Sequence, residues 1–191
     1  MRRALLVVAV LLSACAFKPM AVHVQPTLLA PQAQPVSSGQ PVWLEVLDER
    51  VAPELGSRSI SGKTAAITAQ NDLLLSLREA FIEAYTQQGF TVVTDKAEGV
   101  PELQLVVVKT EYVSVSQALK GTTTTLNTEL RLKAQSTTKN YVKNYRSSAE
   151  NKTTFTPMQD AIQEMVNTAL SDVLQRAVND KAVHALLLAK E

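Results

Sequence analysis

Residues 122–136 read TTTTLNTELRLKAQS. Within them Leu126, Thr128, Leu130, Leu132 and Ala134 alternate with Asn127, Glu129, Arg131, Lys133 and Gln135. Side chains along a strand point to opposite faces in turn, so this period of two sorts an apolar row from a polar row. The stretch is therefore a strand with one face buried and the other in water, as in a sheet covered on a single side. The preceding run Thr122–Thr125 reads as β-branched strand or turn surface.

Working outward, residues 102–116 form another long strand whose central run, Leu103–Val108, is apolar enough to be buried on both faces. A turn at Lys120-Gly121 joins the two. Past residue 136, Tyr141, Tyr145 and Ala149 share one face of the next strand. These long strands read as an antiparallel meander. Upstream, Val42, Leu44 and Val46 alternate with Trp43, Glu45 and Leu47, giving a first strand over 42–48. A loop follows through Pro53, Gly56 and Gly62, with a short strand expected at 65–68 and another at 90–93.

Two helices complete the pattern. Leu73, Leu74, Leu77, Phe81 and Tyr85 recur at spacings of three and four, with Asn71 or Asp72 as cap and Gly89 as the left-handed residue that ends the helix. Near the C-terminus, Thr156, Pro157 and Gln159 read as N-cap, first helical residue and capping box. Ile162, Met165, Val166, Ala169, Leu170, Val173 and Ala177 make the apolar stripe behind them. That pattern blurs over 179–181, leaving the tail from Ala182 as a separate turn or a frayed extension. The expected fold is α+β in two layers: a mostly antiparallel sheet of four to five strands, with main helices over 71–88 and 157–178 on one face.

The N-terminus sets the domain organisation. Arg2 and Arg3 precede an uninterrupted apolar run of nine residues, Ala4–Leu12. This suits the core of a secretory signal and is too short to span a bilayer. Leu12-Ser13-Ala14-Cys15 then resembles the lipobox of bacterial lipoproteins, in which small residues flank the cleaved bond and the cysteine thiol receives a diacylglycerol. Residues 1–14 are thus expected to be removed, and Cys15 to become the acylated first residue. Three acyl chains, at about 0.8 kcal/mol per buried CH₂, hold a protein to a membrane almost permanently. Ala16 stands where an aspartate would favour inner-membrane retention, so the expected address is the outer membrane, facing the periplasm. Residues 15–41 carry Pro19, Pro26, Pro31, Pro35 and Pro41 with several glutamines, and read as a tether reaching roughly 25–30 Å. The globular domain is then 42–191.

Composition narrows the function. Without the signal, 17 basic residues face 18 acidic ones, which gives no electrostatic case for a nucleic-acid partner. The lone cysteine precludes an internal disulfide and, once acylated, thiol catalysis. Hydrophobic residues make up 46% of the chain, enough to rule out wholesale disorder. His23 and His184 lie in no metal-ligand spacing, and the glycines form neither a nucleophile elbow nor a phosphate loop. Glu79 and Glu83, one helical turn apart opposite the apolar stripe, read as a solvated face. No catalytic set, metal or cofactor is expected.

Two features stand out as candidate sites. Asp48-Glu49-Arg50 ends the first strand near the 56–62 loop with Arg58 and Lys63, either a site or a self-satisfied ion cluster. Arg131, Lys133, Lys139, Tyr141, Lys143, Tyr145 and Arg146 interleave charge with aromatic rings. They are either an ordinary wet sheet face or a surface for an envelope protein, lipopolysaccharide, phospholipid headgroups or peptidoglycan.

The lipobox, the proline-rich tether, Asp48-Glu49-Arg50, Leu55-Gly56-Ser57-Arg58 and Gln88-Gly89-Phe90 together resemble the YajG family of bacterial lipoproteins. The resemblance covers most of the mature chain. It implies helices packed on one face of an antiparallel sheet, a layout similar to that of small lipoproteins that assist outer-membrane assembly or lipid transport. It implies no activity and no functional residues. The expected function is a non-enzymatic binding or assembly accessory of the cell envelope. The alternatives are a structural spacer in an envelope complex or a hydrolase acting on peptidoglycan or lipid.

Overall fold

The computed structural model describes residues 18–29, 35–117 and 120–189. The strands are β1 (Met20–Val22), β2 (Pro41–Asp48), β3 (Gly56–Ile60), β4 (Lys63–Ala69), β5 (Thr91–Val93), β6 (Glu102–Gln117), β7 (Gly121–Gln135) and β8 (Asn140–Thr153). The helices are α1 (Leu73–Gln87), α2 (Gln159–Val178) and α3 (Lys181–Leu187). None of the described helices is long and apolar enough to cross a membrane.

The α+β class holds, but the sheet is larger than four or five strands and it is mixed. All eight described strands join one sheet in the order β1-β4-β3-β6-β2-β5, with β7 on β6 and β8 on β7. The meander β6–β7–β8 and the hairpin β3–β4 are antiparallel. The pairs β1/β4, β2/β5, β2/β6 and β3/β6 are parallel. β6 is the spine. Its start, Glu102–Val107, pairs with β2, and its far part, Tyr112–Ser116, pairs with β3, while β7 lies along nearly its whole length. A register shift between Val107 and Lys109 marks the changeover. The sheet thus has a near half around β2 and β5 and a far half around β3, β4 and β1.

The alternation in β7 is realised as read. Leu126, Leu130 and Leu132 are fully buried, facing the helices, whereas Glu129, Arg131 and Lys133 lie on the uncovered face. Leu103, Leu105, Val107, Tyr145 and α2 residues Ile162, Val166, Leu170 and Val173 close the core with Leu77, Phe81 and Tyr85 of α1. Asp72 caps α1, its carboxylate accepting from the backbone N–H of Leu74 and Leu75. Gly89 follows at φ +88°, and a Cβ there would sit 2.2 Å from the Ser37 carbonyl oxygen. Only glycine fits that turn.

The α2 start differs from the capping box. The helix begins at Gln159, Met158 takes the cap position, and no side chain bonds the first turn. Thr156 instead donates to the Ser116 hydroxyl, and Gln159 donates to the carbonyl of Ala21. The tail is not frayed. Asp180 caps α3, and His184, partly packed, places Nε2 2.7 Å from the Val178 carbonyl.

The expected tether is also corrected over 20–29. Met20–Val22 is a parallel strand on β4, and Val22 and Val24 are fully buried. Beyond it, the backbone N–H groups of His23, Gln25, Thr27 and Leu29 donate to side chains of Gln163, Asn167, Ser171 and Gln175 at 2.7–2.9 Å. Two residues of extended chain rise about 6.6 Å and four of helix about 6 Å, so every second donor meets every fourth helical side chain. Proline forbids helix here but not an extended run lying at an edge, and Pro26 is buried in it. The globular unit therefore begins at least twenty residues before Pro41.

Candidate functional site

The seven basic and aromatic candidates do not form one surface. Pleating divides them between the two faces of the β7–β8 hairpin. Tyr141, Lys143 and Tyr145 turn toward the helices and converge on one oxygen, Asp180 Oδ2. The Tyr141 hydroxyl donates at 3.0 Å, Lys143 Nζ at 2.7 Å and the Tyr145 hydroxyl at 2.6 Å. Asp180 Oδ1 accepts from the backbone N–H of Ala182. Burial alone would raise this carboxyl, but the four hydrogen bonds outweigh it and hold its pKa far below the usual carboxylate range. Burial, then the hydrogen bond to Asp180, pushes Tyr145 well above an ordinary phenol, and the same causes raise Tyr141. The hydrogen bond to Asp180 raises Lys143, which also stacks 5.1 Å from the Tyr145 ring centre. The cluster ties β8 to the α2–α3 junction. Its donors already have their acceptor, so it is a structural lock.

On the uncovered face, Arg131 and Lys133 reach Glu49 at 2.9 and 3.5 Å, and Arg146 pairs with Glu129 at 2.9 Å. The hydrogen bond from Arg146 holds the Glu129 carboxyl below its usual range. Lys139 stands exposed in the turn before β8, its backbone N–H bonded to the Ser136 hydroxyl. The Asp48-Glu49-Arg50 candidate folds into the same arrangement. Arg50 closes on Asp48 at 2.8 Å, the pair lowering the Asp48 carboxyl, while Glu49 serves Arg131 and Lys133. Arg58 donates to the carbonyl of Lys18. On the uncovered face the two candidate features thus meet at Glu49, and Asp48–Arg50 and Glu129–Arg146 close as separate pairs. Leu12, Ser13, Ala14 and Cys15 lie outside the described residues. Among those described, no group of three or more His, Cys, Asp or Glu could hold a metal.

The residues missed by pattern reading lie on the far half of the helix-facing surface. There the core leucines give way to hydroxyls. The rows Thr110–Thr128–Ser147, Tyr112–Leu126–Ala149 and Ser114–Thr124–Asn151 run across β6, β7 and β8. The N-terminal half of α2 overhangs this floor without filling the space beneath it. A cavity of about 960 Å³ remains, lined mostly by apolar surface. Ala161, Met165, Thr168 and Ala169 of α2 form its wall, and Phe155 and Pro157 its end. Tyr112 is fully buried in it. The hydroxyls of Tyr112, Thr110 and Thr128 are buried with no hydrogen-bond partner among the described residues. Of the three only Tyr112 lines the cavity. Buried polar groups are ordinarily paired, so an unpaired hydroxyl beside an open volume marks where a ligand's polar atoms have something to gain. The one sequence signal was the inward pair Thr122 and Thr124 within the threonine run.

A sheet covered by helices on one face, together with the family match, defines a class: small α+β lipoproteins. The model for a family described as uncharacterised lipoprotein matches residues 26–187, and the chain belongs to that YajG family. It is 27% identical over 183 residues to the uncharacterised lipoprotein YajG of Escherichia coli K12, covering 95% of this chain and 93% of the relative. The YajG of Escherichia coli O6:H1 matches to the same extent. The crystal structure of protein XCC0632 from Xanthomonas campestris, of the DUF330 family, superposes with a TM-score of 0.53 at 16% identity. That match covers 84% of this chain and 92% of XCC0632, a likeness of fold.

Proposed function

We propose that the mature chain is an outer-membrane lipoprotein facing the periplasm, held by acyl groups on Cys15, whose domain is a non-enzymatic binding module of the cell envelope. The module takes an amphiphile in the groove between the far half of the sheet and α2. The groove carries this reading. Its volume of about 960 Å³ lies at the upper end of the range of roughly 300–1,000 Å³ usual for small-molecule sites. Its wall of Met165, Ala161 and Ala169 suits a hydrocarbon chain. The hydroxyl floor suits ester or hydroxyl oxygens, and Lys152 beside it suits an anionic headgroup. The charged sheet face is the weaker candidate, because Glu49 and Glu129 already answer its arginines.

The test is native mass spectrometry of the mature protein extracted from membranes in mild detergent. A bound amphiphile is expected in addition to the protein's own N-terminal lipid. Ala149→Trp, which puts a large ring on the groove floor, is expected to lower its occupancy at least about tenfold, a loss of 1.4 kcal/mol or more. Unadducted wild-type protein, or equal occupancy in the variant, would rule the groove out. A co-purifying protein that survives Ala149→Trp would favour the uncovered sheet face.

A further inference from the structure

The strand registers locate the chain's entry point. Met20 of β1 lies in one row with Ile67, Gly56, Tyr112, Leu126 and Ala149. Moving N-terminally along β1 leads toward the row of Ile60, Lys63, Ser116, Thr122 and Thr153. That row is the far end of the sheet, where the β3–β4 and β6–β7 turns and the β8–α2 loop lie together. The bond from Gln159 to the carbonyl of Ala21 pins the same strand beside the start of α2. Three Cα-to-Cα steps separate Cys15 from Lys18. At full extension they reach about 10 Å. With Lys18 held by Arg58 and 20–29 docked on the domain, Cys15 cannot stray farther than that from Lys18, on the side of this end.

The same end carries two large apolar side chains in water. Phe155 is 81% exposed and Met158 80%, in the loop that leads into α2. Phe155 is the end wall of the groove, and Met158 follows three residues on, just before α2. Lys18, Lys63, Lys120 and Lys152 are exposed toward the same end, Lys152 paired with Glu150 at 3.4 Å. Solvent-exposed apolar residues at an end that carries four lysines beside Glu150, Asp160 and Glu164, within a short leash of a lipid, match the surface that peripheral proteins press into a headgroup layer.

We infer that the far end of the domain rests on the leaflet that holds the Cys15 lipid, with Phe155 and Met158 dipping into the headgroup boundary and the lysines facing anionic headgroups. The groove mouth then opens onto lipid. This orientation rests on the reading of Cys15 as acylated, and it replaces a domain standing off on a long tether.

The experiment uses the full acylated protein in vesicles of phosphatidylethanolamine and phosphatidylglycerol carrying brominated acyl chains. The native Trp43 is removed by Trp43→Phe, and one reporter is introduced as Phe155→Trp or as Val142→Trp. Val142 is 61% exposed and eleven residues before Thr153 along β8, about 37 Å away. Flotation with the vesicles is checked first by acyl labelling. Quenching of at least about twofold is expected at position 155, as for a ring within roughly 5–10 Å of the headgroup boundary, and little at 142. Flotation without quenching at 155, or equal quenching at both positions, would overturn the orientation alone. Failure of the chain to acquire label or to float would overturn the anchor and the orientation with it.

Discussion

The near and far halves of the β6–β7–β8 meander use the same strands and the same covering helix, on either side of the register shift at Val107–Lys109, and they end differently. In the near half Leu103, Leu105, Leu130, Leu132 and Tyr145 meet the helices with nothing between them. In the far half Tyr112, Thr124, Ser147 and Ala149 stand under α2 across an open groove. Replacing the inward leucines of a strand by threonines leaves its pairing intact and removes the reason for a helix to close down on it. The same sheet therefore contains a packed half that holds the fold together and an unpacked half that keeps a cavity.

The largest break in this comparison should come from the packed half. Leu130→Ala is expected to cost about 2–5 kcal/mol, from lost transfer energy plus a cavity. Thr124→Ala, one face and six residues away, gives up only a 3.3 Å hydrogen bond to Ser114 and should cost about 1 kcal/mol or less. Urea unfolding of both variants measures the contrast, and similar losses would mean that the far half is packed after all.

Next comes Asp180, which bolts the near half to the helix layer. Asp180→Ala leaves Tyr145 without its acceptor and should cost about 1.5–3 kcal/mol, the range for hydrogen bonds to a charged group. Its carboxyl is depressed below 3.8, so the stabilisation is complete above that value and is lost as the pH falls below it. Acid unfolding should begin at higher pH in Asp180→Asn than in the native chain. Coincident acid transitions would remove Asp180 from the account.

A third contrast uses the same added side chain twice. Ala134 is 2% exposed in the near half, and Ala134→Trp should overpack it by about 1–3 kcal/mol. Ala149 borders the groove, and Ala149→Trp should change stability by about 0.5 kcal/mol or less. The smallest effect belongs to the uncovered face. Arg131→Ala breaks a partly exposed pair with Glu49 and should cost about 0.2–1 kcal/mol, less in high salt. Thermal melts at two salt concentrations measure it.

What could be read from the chain follows from which interactions are local. β7 was legible because alternation is written in adjacent residues. α1 was legible because Asp72, the 3–4 spacing and Gly89 all lie within one segment. β3 was missed because Gly56–Ile60, at intermediate burial throughout, shows no alternation and is a strand only by virtue of its partners in β4 and β6. β1 was hidden for the same reason, being fixed by β4, as was the run after it, which is fixed by side chains some 140 residues on. At Thr156 the capping-box letters were present but were used elsewhere, Gln159 being drawn to Ala21. The basic hairpin was legible as residues and not as a site, because Asp180 and Glu49 are distant in the chain. The groove was the least legible feature, being a volume that α2 leaves unfilled and that no residue spells.

The central claim is that the far half is kept open for an amphiphile. Its most direct test is photocrosslinking in living cells from a benzoylphenylalanine replacing Thr168 in the groove wall, with Val142 on the uncovered face as comparison. The account predicts a lipid adduct at position 168 and none at 142, with the yield at 168 falling in Ala149→Trp. No lipid at 168, or lipid captured equally at both positions, would contradict it.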